Sequence, residues 1–406
     1  MSKIFNPSDK ILCHLNTVEK HLKNQAYDPI TIEIDPSNTC NHSCPFCISG
    51  HLHLEKYKGT EFFNREILNK KIFQELIKDL IKTDIKAINW TGGGEPTQNP
   101  FLGEAIRFIK QNSNIEMGMF TNGSLIERFD LFETFVKSLK WVRISIDAGE
   151  ASTYDNLRKT NSKNNFSVVM QNIKKLISFK KKFNSEIVIG VGFVVTEDNY
   201  KEINSFAKLF KDISVDYCQF KPEIIQIERN NNSTTKESVN SKNNGKMQIS
   251  SDFWLNKVIS SLDDAKLILG NKFECNSYKL DDLIVDVKNY GRNYKECLGS
   301  QFQPCIGADG NVYVCTNHRG HKKYSYGSIY EKSFSKIWSD LESRNRIMNI
   351  INKKEKFSNC TQLCKPHESN KILWSIKSNM DKKDYINTLK EKTKKLSKTL
   401  KHVNFI

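Results

Sequence analysis

The chain has 406 residues, a net charge of +16, 38% hydrophobic and 10% aromatic residues, enough apolar material for one large domain and a smaller one around a buried core. No apolar run approaches the ~20 residues that span a bilayer, and Met1–Lys10 lacks the apolar stretch of a signal peptide, so a cytoplasmic protein without a membrane partner is expected. Part of the charge is local, with nine lysines against three acidic residues between Lys377 and Ile406, and no basic–aromatic groove pattern marks nucleic acid as the main substrate.

After a polar arm over 1–29, the run ITIEID (Ile30–Asp35) predicts a first strand. Ile67, Leu68, Ile72, Leu76 and Leu80 follow with helical spacing. Strands are then expected at Lys86–Trp90, Ile115–Phe120, Trp141–Asp147, Glu186–Val195 and Val215–Lys221. Helices are expected between them near Pro100–Gln111, Leu125–Leu139, Val168–Phe183 and Tyr200–Phe210. Six βα units imply a parallel sheet wrapped by helices, an α/β partial (β/α)6 TIM-like barrel over 30–227, with chemistry at the C-terminal strand ends. Residues 228–250, rich in Asn, Ser, Thr and Lys, read as a flexible insertion. A connecting helix is expected over 251–281, and short strands, turns and cysteines over 282–370 mark a small α+β domain. In 371–406, Leu389, Leu396 and Val403 recur every seven residues with Ile386 and Leu400 beside them, predicting one basic amphipathic helix packed on the body.

Eleven cysteines in such a chain point to metal rather than disulfides when they are grouped. Cys40, Cys44 and Cys47 fall within eight residues directly after the first strand; Cys297, Cys305, Cys315, Cys360 and Cys364 form a second group. Cys13, Cys218 and Cys275 are isolated and read as ordinary thiols. Three thiolates on one loop can hold three irons of a [4Fe–4S] cluster and leave the fourth open, whereas a closed electron-transfer cluster takes four cysteines. Three cysteines with His42 or His51 would instead complete a zinc tetrahedron. The same choice stands for Cys315, Cys360 and Cys364 with His318 or His367.

The pattern Cys40-Asn-His-Ser-Cys44-Pro-Phe-Cys47 after strand one resembles the cluster loop of the radical S-adenosylmethionine (SAM) superfamily. So does Gly92-Gly93-Gly94-Glu95 after strand two. The resemblance implies a SAM-binding [4Fe–4S] cluster and reductive cleavage of SAM to a 5′-deoxyadenosyl radical. It places Phe46 against the adenine, Gly92, Gly93 and Gly94 close to the methionine moiety, and Glu95 as a shaper of that loop. Arg143, Ser145 and Asp147 share one strand face; Ser145 and Asp147 suit contacts to SAM, and Asp147 alternatively caps a helix. Gly192 either lets the adenine approach or marks a bulge.

The hairpin Ile306–Cys315, turning at Asp309-Gly310-Asn311, with Cys360-Thr-Gln-Leu-Cys364 beyond it, resembles the SPASM/twitch extension. That implies one auxiliary [4Fe–4S] cluster on Cys297, Cys315, Cys360 and Cys364, with Cys305 left to packing. An electron donor such as flavodoxin or ferredoxin is implied. The favoured expectation for the substrate is a small molecule, a polar metabolite such as a sugar derivative, undergoing oxidation or epimerisation. The alternatives are a peptide-modifying maturase and an RNA-modifying or RNA-binding metalloprotein. The short arm before strand one argues against a peptide-recognition domain. On the sixth strand, alternation puts Tyr217, Gln219 and Lys221 on the inner face and Cys218 and Phe220 outside. Lys221 is the candidate catalytic residue, with neutralisation of Asp147 as its alternative role. The opposite register would make Cys218 a hydrogen-atom donor.

Overall fold

Strands and helices alternate from residue 31 to 222, and each strand turns its aliphatic side to the helices. The computed structural model describes residues 7–160, 164–223, 252–270, 274–276, 293–353, 360 and 364–406. In it β1 (Thr31–Ile34), β2 (Ala87–Trp90), β3 (Glu116–Thr121), β4 (Trp141–Ser145), β5 (Val188–Val195) and β6 (Tyr217–Pro222) lie side by side in parallel. These form the partial (β/α)6 barrel. A short β7 (Glu274–Asn276) adds to β6, again in parallel.

Beyond β1 the sheet continues into the cysteine-rich part of the chain. β8 (Cys305–Ile306) pairs in parallel with β1, and β9 (Asn311–Tyr313) and β10 (Ser325–Ser328) extend it antiparallel. The order is β10-β9-β8-β1-β2-β3-β4-β5-β6-β7. The C-terminal hairpin thus shares one sheet with the barrel rather than standing beside it.

Helices Lys70–Leu80, Leu102–Asn112, Phe132–Ser138, Asn165–Lys182 and Ile203–Ile213 cover the outside. The first begins where Asn69 accepts a bond from the Ile72 amide, satisfying an end donor. Against them pack Met117, Met119, Val142, Ile144, Ile189, Val191, Cys218 and Phe220 from the strands. Each buried aromatic or aliphatic side chain there contributes about 1.5–3 kcal/mol. An additional helix, Ala151–Arg158, has little apolar periodicity and escapes sequence reading. The predicted helix at Leu125 begins only at Phe132, because residues up to Asp130, itself at φ +48°, form turns.

The inward positions layer by height. Ala87, Phe120, Trp141, Val188 and Tyr217 pack with Phe405 as an apolar floor. Phe405 arrives from the C-terminal segment, which corrects the expectation of one helix over 371–406. Helices His367–Ser378 and Lys383–Thr399 form instead, and Val403 lies past both. That segment turns under the barrel because its backbone finds partners there. Thr31 donates to the Asn404 carbonyl at 2.6 Å, Lys10 donates to the Phe405 carbonyl at 3.3 Å, and the Ile406 amide donates back to Thr31 at 3.3 Å. The Asn-rich insertion expected over 228–250 lies outside the described residues. Among the described residues no helix is long and apolar enough to cross a membrane.

Candidate functional site

The loop leaving β1 is held by its neighbours' backbone. The Gly94 amide donates to the Ser37 carbonyl at 3.0 Å and the Glu95 amide to the Thr39 carbonyl at 2.8 Å. Added β-carbons show why the run after β2 is glycine. One on Gly93 would lie 2.1 Å from Asn38 Oδ1, and one on Gly94 2.0 Å from the Thr39 carbonyl. One on Gly92 would lie 2.3 Å from the Gly94 carbonyl. Gly93 and Gly94 are thus required by their packing against the cysteine loop and Gly92 by the tight turn of the run itself, a reason the sequence reading did not give.

Glu95 is buried and fully engaged. Oε1 accepts from the hydroxyls of Thr97 and Thr121, each at 2.6 Å, and Oε2 from the Asn122 amide at 2.7 Å. Burial raises its pKa and these bonds oppose the rise. From Asn122 the network runs to the loop, as Asn122 donates to Asn41 at 2.9 Å and Asn41 to Ser124 at 2.8 Å. Glu95 therefore locks the ends of β2 and β3 to the loop that carries the three thiols.

Cys40, Cys44 and Cys47 lie within electrostatic reach of one another. Burial pushes the Cys40 thiol well up, with Glu95, Cys44 and Cys47 adding to the rise. Burial pushes Cys44 up to about 11, against the opposing pull of Arg158. Arg158 is the residue sequence reading missed. Its guanidinium lies 3.6 Å from Cys44 Sγ and 2.5 Å from Asp147 Oδ2, and its carbonyl accepts from the Ser43 amide at 3.0 Å. It sits on the unpredicted helix, so no strand-end rule points to it. Phe46 is half-buried between the second and third thiols.

Ser145 closes β4 beside Gly192 of β5. Gly192 lies in regular pairing, and a β-carbon there would meet Arg143 only at an ordinary 3.5 Å. Asp147 adopts φ +62°, and its Oδ1 accepts from the Val194 amide at 2.7 Å. Its carboxylate serves the ion pair and that amide, not a helix cap. On β6, Tyr217 accepts from Arg143 Nε at 2.8 Å. Gln219 is buried, and its Oε1 finds no hydrogen-bond partner among the described residues. The Lys221 ammonium stands 5.7 Å over the Phe120 ring and acts on Asp147. Cys218 is in the outer core among the helices, so β6 has the register with Tyr217, Gln219 and Lys221 inward.

The second group assembles from four places in the chain. The Cys364 thiol is pushed well up, first by its hydrogen bond with Cys360, then by burial and by Cys297 and Cys315. Burial raises Cys315, with Cys360 and Cys297 adding. Asn370 donates to Cys297 Sγ at 3.5 Å, and the Cys297 amide donates to Asn352 at 2.9 Å. Cys305 is elsewhere. It faces inward from β8, 3.8 Å from Asp35 and 3.7 Å from Arg319, in a charged setting rather than the apolar packing expected for it.

Both groups suit an iron–sulfur cluster by donor chemistry. Buried thiols that oppose each other's ionisation become ligands when a multivalent metal centre takes up the thiolates. Three thiols leave one corner of a four-iron cube open and four close it.

A family model described as the radical SAM superfamily matches residues 34–209, and one described as an iron–sulfur cluster-binding domain, SPASM, matches 297–365. The cysteine-type anaerobic sulfatase-maturating enzyme of Clostridium novyi is 29% identical over 338 residues, 80% of this chain and 83% of that protein. Two solved structures share the fold. Streptococcus suis SuiB bound to precursor peptide SuiA has a TM-score of 0.57 and 16% identity, covering 82% of this chain and 70% of that one. The enzyme anSMEcpe with bound AdoMet and the Cp18Cys peptide has a TM-score of 0.55 and 18% identity, covering 90% and 99%.

Proposed function

The chain is a radical SAM enzyme with a C-terminal SPASM domain, and from that premise we propose that it is a maturase acting on a cysteine-containing peptide. Its cofactors are a [4Fe–4S] cluster, SAM and an auxiliary iron–sulfur centre. When bound, the first cluster and SAM supply a 5′-deoxyadenosyl radical that removes a hydrogen atom from the substrate. In this reading Cys40, Cys44 and Cys47 hold the first cluster, and Cys297, Cys315, Cys360 and Cys364 the second. The protein's own work is placement. Glu95 fixes the strand ends, Arg158 sets its positive charge beside Cys44 and Asp147, and Phe46, Gly92–Gly94 and Ser145 border the SAM site. Lys221 presents a cation at the mouth of the barrel for an anionic substrate group.

The observation that carries this reading is the pairing of a three-thiol loop at the end of β1 with a separate four-thiol group. The peptide substrate is supported by the names of its relatives, a sulfatase-maturating enzyme and proteins solved with peptides. The peptide-bound anSMEcpe chain is matched over 99% of its length. A short arm before β1 is therefore no argument against a peptide, and the sugar-like metabolite gives way to it.

The test is anaerobic reconstitution, reduction with dithionite, and measurement of 5′-deoxyadenosine with and without peptides containing Cys. Peptide-dependent formation of 5′-deoxyadenosine is expected. Stimulation by sugar nucleotides and by no peptide would reverse the substrate assignment.

A further inference from the structure

We propose that Arg319 is a positioning residue that couples the two thiol centres, so that SAM affinity at the first depends on assembly of the second. The inference rests on the cofactor reading above and adds a regulation to it.

Arg319 follows Cys315 by four residues, yet its side chain is buried in the barrel end. Nε lies 2.9 Å from Asp35 Oδ2, at the end of β1. Nη1 donates to Ser49 Oγ at 2.7 Å, two residues past Cys47, and to the Gly92 carbonyl at 3.2 Å. Nη2 lies 3.7 Å from Cys305 Sγ on β8. The Arg319 carbonyl is 3.1 Å from His51 Nε2. Gly320, at φ +81°, presses so close that a β-carbon would lie 2.6 Å from Leu52 Cδ2. One guanidinium thus grips the strand, the thiol loop and the glycine run of the first centre from a segment set by a thiol of the second.

A second tie runs in parallel. Lys365, next to Cys364, pairs with Glu33, which also accepts from Asn89 at 2.7 Å and Gln303 at 3.3 Å. Glu33 and Asp35 are alternate inward positions of β1. Loss of order at Cys315 or Cys364 therefore pulls on the strand that delivers Cys40. A planar fork with five donors can serve these partners at once, and an ammonium cannot.

The test uses the full chain after anaerobic reconstitution with iron and sulfide. Equilibrium dialysis gives SAM affinity, and the EPR spectrum of the reduced first cluster with and without SAM gives the signature. The four proteins are the parent, Arg319→Met, the triple variant Cys315→Ala/Cys360→Ala/Cys364→Ala, and their combination. Arg319→Met and the triple variant should each weaken SAM binding about tenfold, a usual size for coupled sites. The combination should be no weaker than either, because both cut the same link. Arg319→Lys should not restore affinity. Unchanged affinity in an Arg319→Met protein with full iron, or additive losses in the combination, would overturn the coupling. If Arg319→Met fails to hold iron, Ser49→Ala and Asp35→Asn serve in its place, and parental affinity in both would overturn it equally. Failure of the parent to bind SAM would overturn the cofactor reading itself and the coupling with it.

Discussion

The two thiol centres are built in opposite ways. The first takes three cysteines from eight consecutive residues, and its shape is set by one loop wedged against a glycine run. The second draws four cysteines from positions 297 to 364, brought together only by the folded domain. The first has a guanidinium 3.6 Å from one of its thiols; the thiols of the second border amides and one another. Three thiols leave a corner of a four-iron cluster open and four close it, and the second set depends on tertiary structure to come together. On the proposed reading, the first set is the one that meets SAM and the second is the auxiliary centre.

Removing each set breaks the comparison most directly. Cys40→Ala/Cys44→Ala/Cys47→Ala should abolish cleavage of SAM to 5′-deoxyadenosine while the protein keeps about half of its reconstituted iron, two four-iron clusters being the full load. Iron near zero in that variant would merge the two centres into one. Next in size, Gly94→Ala forces a methyl into the Thr39 carbonyl and should cost about 1–3 kcal/mol by overpacking. Iron should fall at the first centre with the second intact, read by chemical denaturation and EPR. Loss at both would mean that the loop is not an independent unit.

The two faces of β6 sharpen the contrast between chemistry and support. Lys221→Ala should retain iron and SAM cleavage yet lose most peptide-dependent turnover. Cys218→Ala should stay active with a loss of about 1 kcal/mol for a small buried side chain. A folded but inactive Cys218→Ala would require the other register.

A pH dependence is also expected at the first centre. Burial lowers the pKa of His53, beside Gly93, to about 4. A histidine depressed in the folded state stabilises it above the unfolded value near 6.5, and that stabilisation is lost as pH falls toward 4. The span is worth at most on the order of 3 kcal/mol. His53→Gln should flatten the fall in melting temperature over that window, and an unchanged slope would assign the acid sensitivity to other buried histidines.

Much of the barrel was legible because alternation and turn residues are local signals. All six strands of the core appear within two residues of their expected ends, and the inward face of β6 follows from the cost of burying an amide and an ammonium against apolar helices. The residues that escaped act across the chain. Arg158 lies on a helix of low apolar periodicity and reaches back 114 positions to Cys44. Arg319 reaches 270 positions to Ser49. The joining of the C-terminal hairpin to β1 left no trace in spacing, since a two-residue strand such as Cys305–Ile306 has too few positions to show a period.

That joining has a consequence for the chain as a polymer. A fragment ending near residue 227 would contain every barrel strand, yet β1 would present a row of unpaired amides and carbonyls where β8 belongs. Such an edge invites pairing with a second molecule. The isolated barrel is therefore expected to self-associate. In the intact chain this pairing joins residues some 270 apart, a long-range contact of the kind that slows folding.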